Sequence, residues 1–188
     1  LVSSARGARD VLARKDGAID KYGAIHEELR KFGPNSFNMS RSEWLPRRRA
    51  LQPVFTPQRV TSYAAEMGAV VDDKVSVWAA EGHLDIQAAT QAFTTEVLGR
   101  SLLDMSLGER APQLASDFRY LSDYMLARAQ RPVTAPVWLP TPARAKYRAS
   151  RDRLLAVANE AIDRTRRDPD LSAPLIRQLL AATDPQTG

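Results

Sequence analysis

Apolar residues recur at intervals of three and four along most of the chain after residue 40, and this periodicity constrains the fold more than any other feature. The longest run follows the pair Thr56-Pro57 and ends at Gly82. Threonine caps helix N termini, proline is favoured at the first helical position, and glycine favours a helix end. The sequence therefore predicts one long amphipathic helix with a buried stripe of Val60, Tyr63, Ala64, Met67, Val71, Val75 and Trp78.

The same periodicity predicts a mainly α chain with at most a short strand at its start. Further helices are predicted at residues 7–15, 19–31, 87–100, 112–130 and 142–167, with a last short helix from Ser172. The third of these is mostly apolar and is expected to be central. The fourth is expected to bury Phe118, Leu121, Met125 and Leu126. Two segments have no period, an apolar loop at residues 32–40 and a proline-rich linker at residues 131–142.

Composition excludes several classes of function. The 188 residues contain no cysteine, which excludes a disulfide scaffold and a thiolate metal site within them. The two histidines, His26 and His83, lack the neighbours of a hydrolytic triad or a metal site, and there is no phosphate-binding glycine loop. Acidic residues are interleaved with the basic ones behind the net charge of +5, which favours solvated helix faces over nucleic-acid binding. No membrane-length apolar stretch or signal peptide is present, so a cytoplasmic protein is expected.

One short helix carries the strongest functional pattern. Trp44 and Arg48 are four residues apart and share a helix face, and Leu51 extends that face as its apolar part. An indole N–H and a guanidinium on one face predict a site for a buried ligand that carries carboxylates. Ser40 or Ser42 is expected to cap this helix, with Glu43 and Pro46 in its first turn and an end at Pro53.

The order of motifs resembles bacterial members of the cytochrome P450 superfamily. The resemblance begins with W-x-x-x-R at 44–48 and R-x-L-x-P-x-F at 49–55, followed by a long helix with the internal Met67. It continues through Trp138-Leu139-Pro140-Thr141-Pro142 before a basic helix and through the closing segment 179–188. It covers essentially the whole chain, and it implies the N-terminal part of the cytochrome P450 fold, about helices B to H.

In this family, the residues that match Trp44 and Arg48 hydrogen-bond the haem propionates, so the resemblance implies haem b as the cofactor. It also implies a cysteine ligand to the iron, a long central helix with an acid–alcohol pair, and a Glu-x-x-Arg motif, none of which is present. Residues 1–188 are therefore expected to be a partial single domain, truncated at both ends. The chain is expected to hold no catalytic residue or metal ligand and to be inactive alone.

The resemblance implies that the parent protein is a haem-thiolate monooxygenase, which inserts one oxygen atom of O₂ into an apolar organic substrate. Electrons would come from a ferredoxin or a flavin reductase. Arg47 and Arg49 are expected to point away from the Trp44 face and would lie either on the surface that docks this donor or on an ordinary solvated basic face. Ser36 and Phe37 would line the substrate pocket. The linker would join two helices of a lid, where Val133, Val137, Trp138 and Leu139 contact substrate, a membrane or ordinary protein neighbours.

Two other classes of function remain open from the sequence. One is an all-α ligand-binding regulator of transcription, which fits the length and the basic composition. That class needs a helix-turn-helix near one end, and the N-terminal segment does not supply one convincingly. The other is a helical scaffold that binds partners through its basic face, which predicts none of the observed motif order.

Overall fold

The computed structural model describes residues 3–14, 24–33, 35–36, 38–131, 135–136 and 138–182. These residues form α-helices and short 3-10 turns and contain no strand, which confirms the mainly α prediction. The helices are α1 (Ala5–Leu12), α2 (Ala24–Arg30), α3 (Arg41–Leu51), α4 (Pro57–Ser62), α5 (Ala64–Ala80), α6 (Ile86–Leu103), α7 (Ala111–Gln130), α8 (Pro142–Arg167) and α9 (Pro174–Ala181). Two 3-10 turns lie at Gln52–Phe55 and Gly108–Arg110. None of the described helices is long and apolar enough to cross a membrane.

Several predicted positions cannot be compared with the structure. Phe37, Val133, Val137 and residues 183–188 lie outside the described residues, as do residues 15–23, where one predicted helix ends and the next begins. The linker is described at Arg131, at residues 135–136 and at residues 138–141, where no regular helix or strand forms.

A capping box starts α3. The Ser40 hydroxyl accepts from the Glu43 N–H at 3.4 Å, and the Glu43 carboxylate accepts from the Ser40 N–H at 2.9 Å. These two reciprocal bonds satisfy backbone donors that a helix start otherwise leaves free. Because the helix begins at Arg41, Pro46 is its sixth residue. The prediction that Pro46 falls in the first turn is therefore wrong; it lies in the second turn, where proline removes one backbone hydrogen bond.

The single helix predicted from Pro57 to Gly82 is interrupted at Tyr63, where α4 ends and α5 has not begun. The Tyr63 ring is buried, and its hydroxyl donates to the Val54 carbonyl at 3.1 Å. This inward anchor separates the two helices. The predicted buried stripe is also largely wrong, since Val60, Met67, Val71 and Val75 are 38–50% exposed, whereas Val70 is fully buried.

The main hydrophobic core lies where the end of α6 and the start of α7 meet α8 and α9. Its buried members are Met105, Leu107, Ala111, Leu114, Ala161, Ala173 and Ile176. Helix α6 packs against α5, α7 and α9, which agrees with its expected central position. Helix α9 begins two residues later than predicted, because Ala173 adopts a left-handed conformation with φ of 31° directly before it.

The face that α7 buries differs from the predicted one. Phe118 and Leu126 are 64% and 51% exposed, so the expected apolar side is wrong at these two positions, whereas Leu121 and Met125 are half-buried. The buried face also carries Asp117 and Arg128, two charged residues that the predicted apolar side does not include. Asp117 is bound by Arg153 of α8 through two hydrogen bonds of 2.6 Å, and Arg153 holds the pKa of this carboxyl below its ordinary value. Charge pairing therefore allows α7 to bury this face.

A buried carboxylate organises the turn between α6 and α7. Glu96 is 1% exposed and accepts four hydrogen bonds of 2.7–2.9 Å, from Arg100, the Ser106 hydroxyl and the N–H groups of Leu107 and Gly108. Burial raises the pKa of this carboxyl, but the four donors outweigh it, so the pKa lies below its ordinary value. Glu96 thus fixes the chain where the main core begins.

Replacing Gly99 with alanine is expected to lower the free energy of unfolding by about 1–3 kcal/mol. The added Cβ would lie 2.8 Å from both the Met105 carbonyl oxygen and a Leu107 side-chain carbon, in the same tight turn. Gly68 in α5 offers a matched control, because nothing lies within 4 Å of its Cβ position. There, alanine should raise stability by roughly 0.5–1 kcal/mol. Urea unfolding followed by circular dichroism measures both; equal effects would contradict the close approach at Gly99.

Candidate functional site

One face of α3 forms a groove of about 300 Å³. Its lining residues are Trp44, Arg47, Arg48 and Leu51 of α3, Gln52 and Phe55 of the following 3-10 turn, and Ser36 of the preceding loop. Positions three, four and seven residues apart lie on one side of a helix. The structure thus places Trp44, Arg48 and Leu51 on one surface, in the arrangement that their spacing predicts. We refer to this cavity as the α3 groove.

Arg48 stacks on Trp44 within the α3 groove. The guanidinium carbon lies 5.0 Å from the centre of the indole ring, within range of a cation–π interaction. Arg48 is exposed and Trp44 is half-buried. No ion pair to Arg48 forms among the described residues. Its positive charge therefore remains available to an anion that enters the groove.

Arg47 also faces the α3 groove, so the expectation that it points away from Trp44 is wrong. Being three residues from Trp44, it shares the Trp44 face just as Arg48 does. Its guanidinium donates to the sulfur of the buried Met39 at 2.9 Å. Arg49, by contrast, is exposed and is not a lining residue. Docking of an electron donor at Arg47 and Arg49 stays a prediction.

The loop before α3 forms another wall of the groove through Ser36, and a buried asparagine holds this loop in shape. Asn38 is 1% exposed. Its side-chain amide donates to the carbonyls of Leu29 and Gly33 at 3.0 and 2.9 Å, and its oxygen accepts from the Asn35 N–H at 2.7 Å. Sequence reasoning missed Asn38. The signal available in the sequence was an asparagine in a loop that also contains a glycine, since both residues favour turns. In the structure that glycine, Gly33, has a φ of 94°.

The nearest acidic residue on α3 is engaged elsewhere. The carboxylate of Glu43 accepts from the Ser40 hydroxyl at 2.8 Å and pairs with Arg30 at 3.2 Å. The hydrogen bonds from Ser40 and then the Arg30 charge hold the pKa of Glu43 below its ordinary value. Among the described residues, no cluster of His, Cys, Asp or Glu could hold a metal ion. The residues that line the α3 groove include guanidinium, indole and hydroxyl groups, which as donors suit a carboxylate rather than a cation.

A second and larger groove, of about 550 Å³, lies between α6, α7 and α8. Thr90, Thr94 and Thr95 line it, and their hydroxyls donate to carbonyls one turn earlier in α6 at 2.7–2.8 Å. Because these hydroxyls are already hydrogen-bonded within the helix, the threonines contribute mainly methyl groups, and this wall is largely apolar. Leu98 and Phe118 flank the groove and are 50% and 64% exposed. Sequence analysis did not find this groove.

Comparison with known proteins finds similarity in both sequence and structure. No protein-family model matches the chain. A curated relative, the cyclooctatin synthase of Streptomyces melanosporofaciens, is 25% identical over an alignment of 181 residues; the match covers 90% of this chain and 38% of the relative. The crystal structure of a cytochrome P450 (CYP102L1) matches with a TM-score of 0.69 and 23% identity, over 90% of this chain and 41% of that one.

The structural match confirms the resemblance to cytochromes P450 at the level of the fold. The described helices have the fold of part of a cytochrome P450. The chain spans about two fifths of the length of each of these two proteins.

Proposed function

We propose that residues 1–188 are the N-terminal part of a haem-thiolate monooxygenase, in which they form part of a single domain. The whole protein would insert one oxygen atom of O₂ into an apolar organic substrate. The observation that carries this proposal is the α3 groove, where Trp44 and Arg48 share one surface on a helical fold that cytochromes P450 also have. No feature of the residues that the structure describes favours the alternative of a transcriptional regulator.

The donors of the α3 groove suit the two propionates of haem b. The indole N–H of Trp44 can only donate, and the guanidinium of Arg48 is a permanently charged planar fork that matches a carboxylate. A hydrogen bond of this charge-assisted kind contributes about 1.5–3 kcal/mol. When bound, the haem supplies the redox chemistry that activates O₂. The role of this chain is to hold and orient the propionate side of that group.

The iron ligand must come from elsewhere in the protein, because the chain contains no cysteine. We therefore propose that the chain alone does not turn over substrate. Ser36, which lines the α3 groove, and Phe37 would contribute to the substrate pocket. Arg47 and the exposed Arg49 would attract an acidic ferredoxin or a flavin reductase as electron donor.

Haem analysis of the protein that contains this chain tests the proposal. We expect one haem b per molecule and, after reduction under carbon monoxide, the absorption band of a thiolate-ligated iron. Residues 1–188 expressed alone should lack that band, since they have no cysteine. A protein purified without haem, or one whose iron has no thiolate ligand, would refute the proposed activity.

A further inference from the structure

A buried ion pair joins α2 to the end of α7, across 100 residues of sequence. The Nε and Nη2 groups of Arg128 both donate to the same oxygen of Glu28, at 3.2 and 3.0 Å. The side chains of Arg128 and Glu28 are only 10% and 11% exposed. Nη2 also donates to the Ala135 carbonyl at 2.8 Å, and Lys31 binds the second oxygen of Glu28. A buried charge held by so many partners fixes the position of the backbone around it.

Aromatic packing strengthens the same junction. The guanidinium carbon of Arg128 lies 5.8 Å from the ring centre of Phe32, which follows α2. Phe32 in turn packs against Tyr124 of α7 and Tyr147 of α8, with ring centres 5.9 and 5.2 Å away. Arg128 therefore contacts the segment at two points, Glu28 within the helix and Phe32 just after it.

This segment leads directly into one wall of the α3 groove. Asn38 binds the carbonyls of Leu29 and Gly33, so the loop that contains Ser36 is built on the end of α2. Among the described elements, α2 packs mainly on α7 rather than on α3. The pair of Arg30 with Glu43 does link the segment to α3, but both side chains are more than 40% exposed, and such pairs contribute little. The loop is thus placed chiefly from α7.

We propose that Arg128 is a positioning residue for the α3 groove, which sets the place of the Ser36 loop through Glu28 and Phe32. The nature of the ligand in the groove rests on the proposed function, but the placement of the loop does not. Loss of Arg128 would leave the Glu28 carboxylate buried with fewer donors. The end of α2 and the loop built on it would then shift toward solvent, and the groove would lose a fixed wall.

Hydrogen exchange and porphyrin binding in the protein that contains this chain test the proposal. In Arg128→Gln, amide exchange at Asn35, Asn38 and Met39 should rise about tenfold or more while exchange in α6 stays unchanged. Metal-free protoporphyrin IX, which has two propionates, should bind three- to tenfold more weakly by fluorescence titration of the haem-depleted protein. Arg119→Gln is the matched control, because Arg119 also lies on α7 but is 52% exposed and pairs only at 3.7 Å. The control should change neither measurement.

The double variant Glu28→Arg/Arg128→Glu should restore much of both properties, which a general loss of stability would not allow. Unchanged exchange in the loop would overturn the proposal. Faster exchange with unchanged porphyrin affinity, in a protein where Arg48→Ala weakens that affinity, would overturn it too and make Arg128 merely structural. If Arg48→Ala has no effect on porphyrin, the ligand of the proposed function is wrong, and the exchange data alone decide the role of Arg128. Arg128→Lys, judged by the same criteria, serves if the glutamine variant does not fold.

Discussion

Replacing Glu96 with glutamine should lower the free energy of unfolding by about 3–5 kcal/mol, the cost of removing one partner of a buried ion pair. The side chain keeps its shape, but one acceptor oxygen becomes an NH₂ group that faces donors. If the NH₂ group takes the position of Oε1, Arg100 loses its shortest carboxylate contact, at 2.7 Å. If it takes the position of Oε2, the N–H groups of Leu107 and Gly108 lose their acceptor instead. The α6–α7 turn contains Met105 and Leu107, which are buried in the main core, so a distortion of the turn disturbs the packing of that core.

Chemical denaturation of the wild type and the variant measures this loss. Glu160→Gln is the matched control, because Glu160 also pairs with an arginine, Arg110 at 2.7 Å, but at a site where both side chains are at least 40% exposed. An exposed pair contributes about 0–1 kcal/mol. Similar losses for the two variants would show that burial of Glu96 does not matter. Ser106→Ala, which removes one donor only, should cost about 1 kcal/mol and remains measurable if the glutamine variant does not fold.

The difference between wild type and Glu96→Gln should also depend on pH. The pKa of Glu96 in the folded protein lies below its ordinary value of 4.5, so the ionised form is favoured by folding. The stability that it contributes is fully present above pH 4.5 and is lost as the pH falls through the lower pKa of the folded state. The gap between the two proteins should therefore shrink on acidification. A gap that is constant from neutral to acidic pH would contradict the ionised state of Glu96.

Haem should leave the protein that contains this chain roughly ten- to a hundredfold faster when Arg48 is replaced by alanine. The estimate follows from the loss of one charge-assisted hydrogen bond, about 1.5–3 kcal/mol, at 1.4 kcal/mol for each factor of ten. Under the proposed function the absorption band of thiolate ligation should persist, because a chain without cysteine would not supply the iron ligand. Transfer of haem to an excess of a haem-free globin measures the rate.

Arg49→Ala supplies the control for the haem experiment. Arg49 is adjacent to Arg48 and has the same charge, but it is exposed and does not line the α3 groove. Its replacement should leave haem loss within about twofold of the wild type, as most exposed substitutions do. Equal acceleration by the two variants would mean that net charge, rather than a contact in the groove, retains haem.

Local signals predicted helix ends better than they predicted buried faces. The Thr141-Pro142 pair placed the start of α8 correctly, and its end at Arg167 was also predicted, because caps act within one turn of their own residue. The faces of α5 and α7 were wrong for a different reason. Which side of a helix is covered depends on partners far away in the chain, and at Asp117 it depends on Arg153, 36 residues later.

The same distinction holds for the α3 groove. The grouping of Trp44, Arg48 and Leu51 follows from helix geometry alone and could be read from the sequence. The direction of Arg47 follows from the same geometry, because a residue three positions from Trp44 shares its face just as one four positions away does. The contribution of Arg128 could not be read at all, because its partner Glu28 is 100 residues away and no periodicity links them.

The stacking of Arg48 on Trp44 has a consequence for the thermodynamics of anchoring. A free arginine side chain has about 2 kcal/mol of rotamer entropy to lose when a ligand immobilises it. At 5.0 Å from the indole ring, part of that freedom is already lost before any anion arrives. Binding would then proceed with a smaller entropic penalty and a correspondingly lower dependence on temperature. Trp44 would thus raise the affinity for an anion in two ways. Its indole N–H would donate a hydrogen bond, and its ring would restrict the Arg48 side chain before the anion binds.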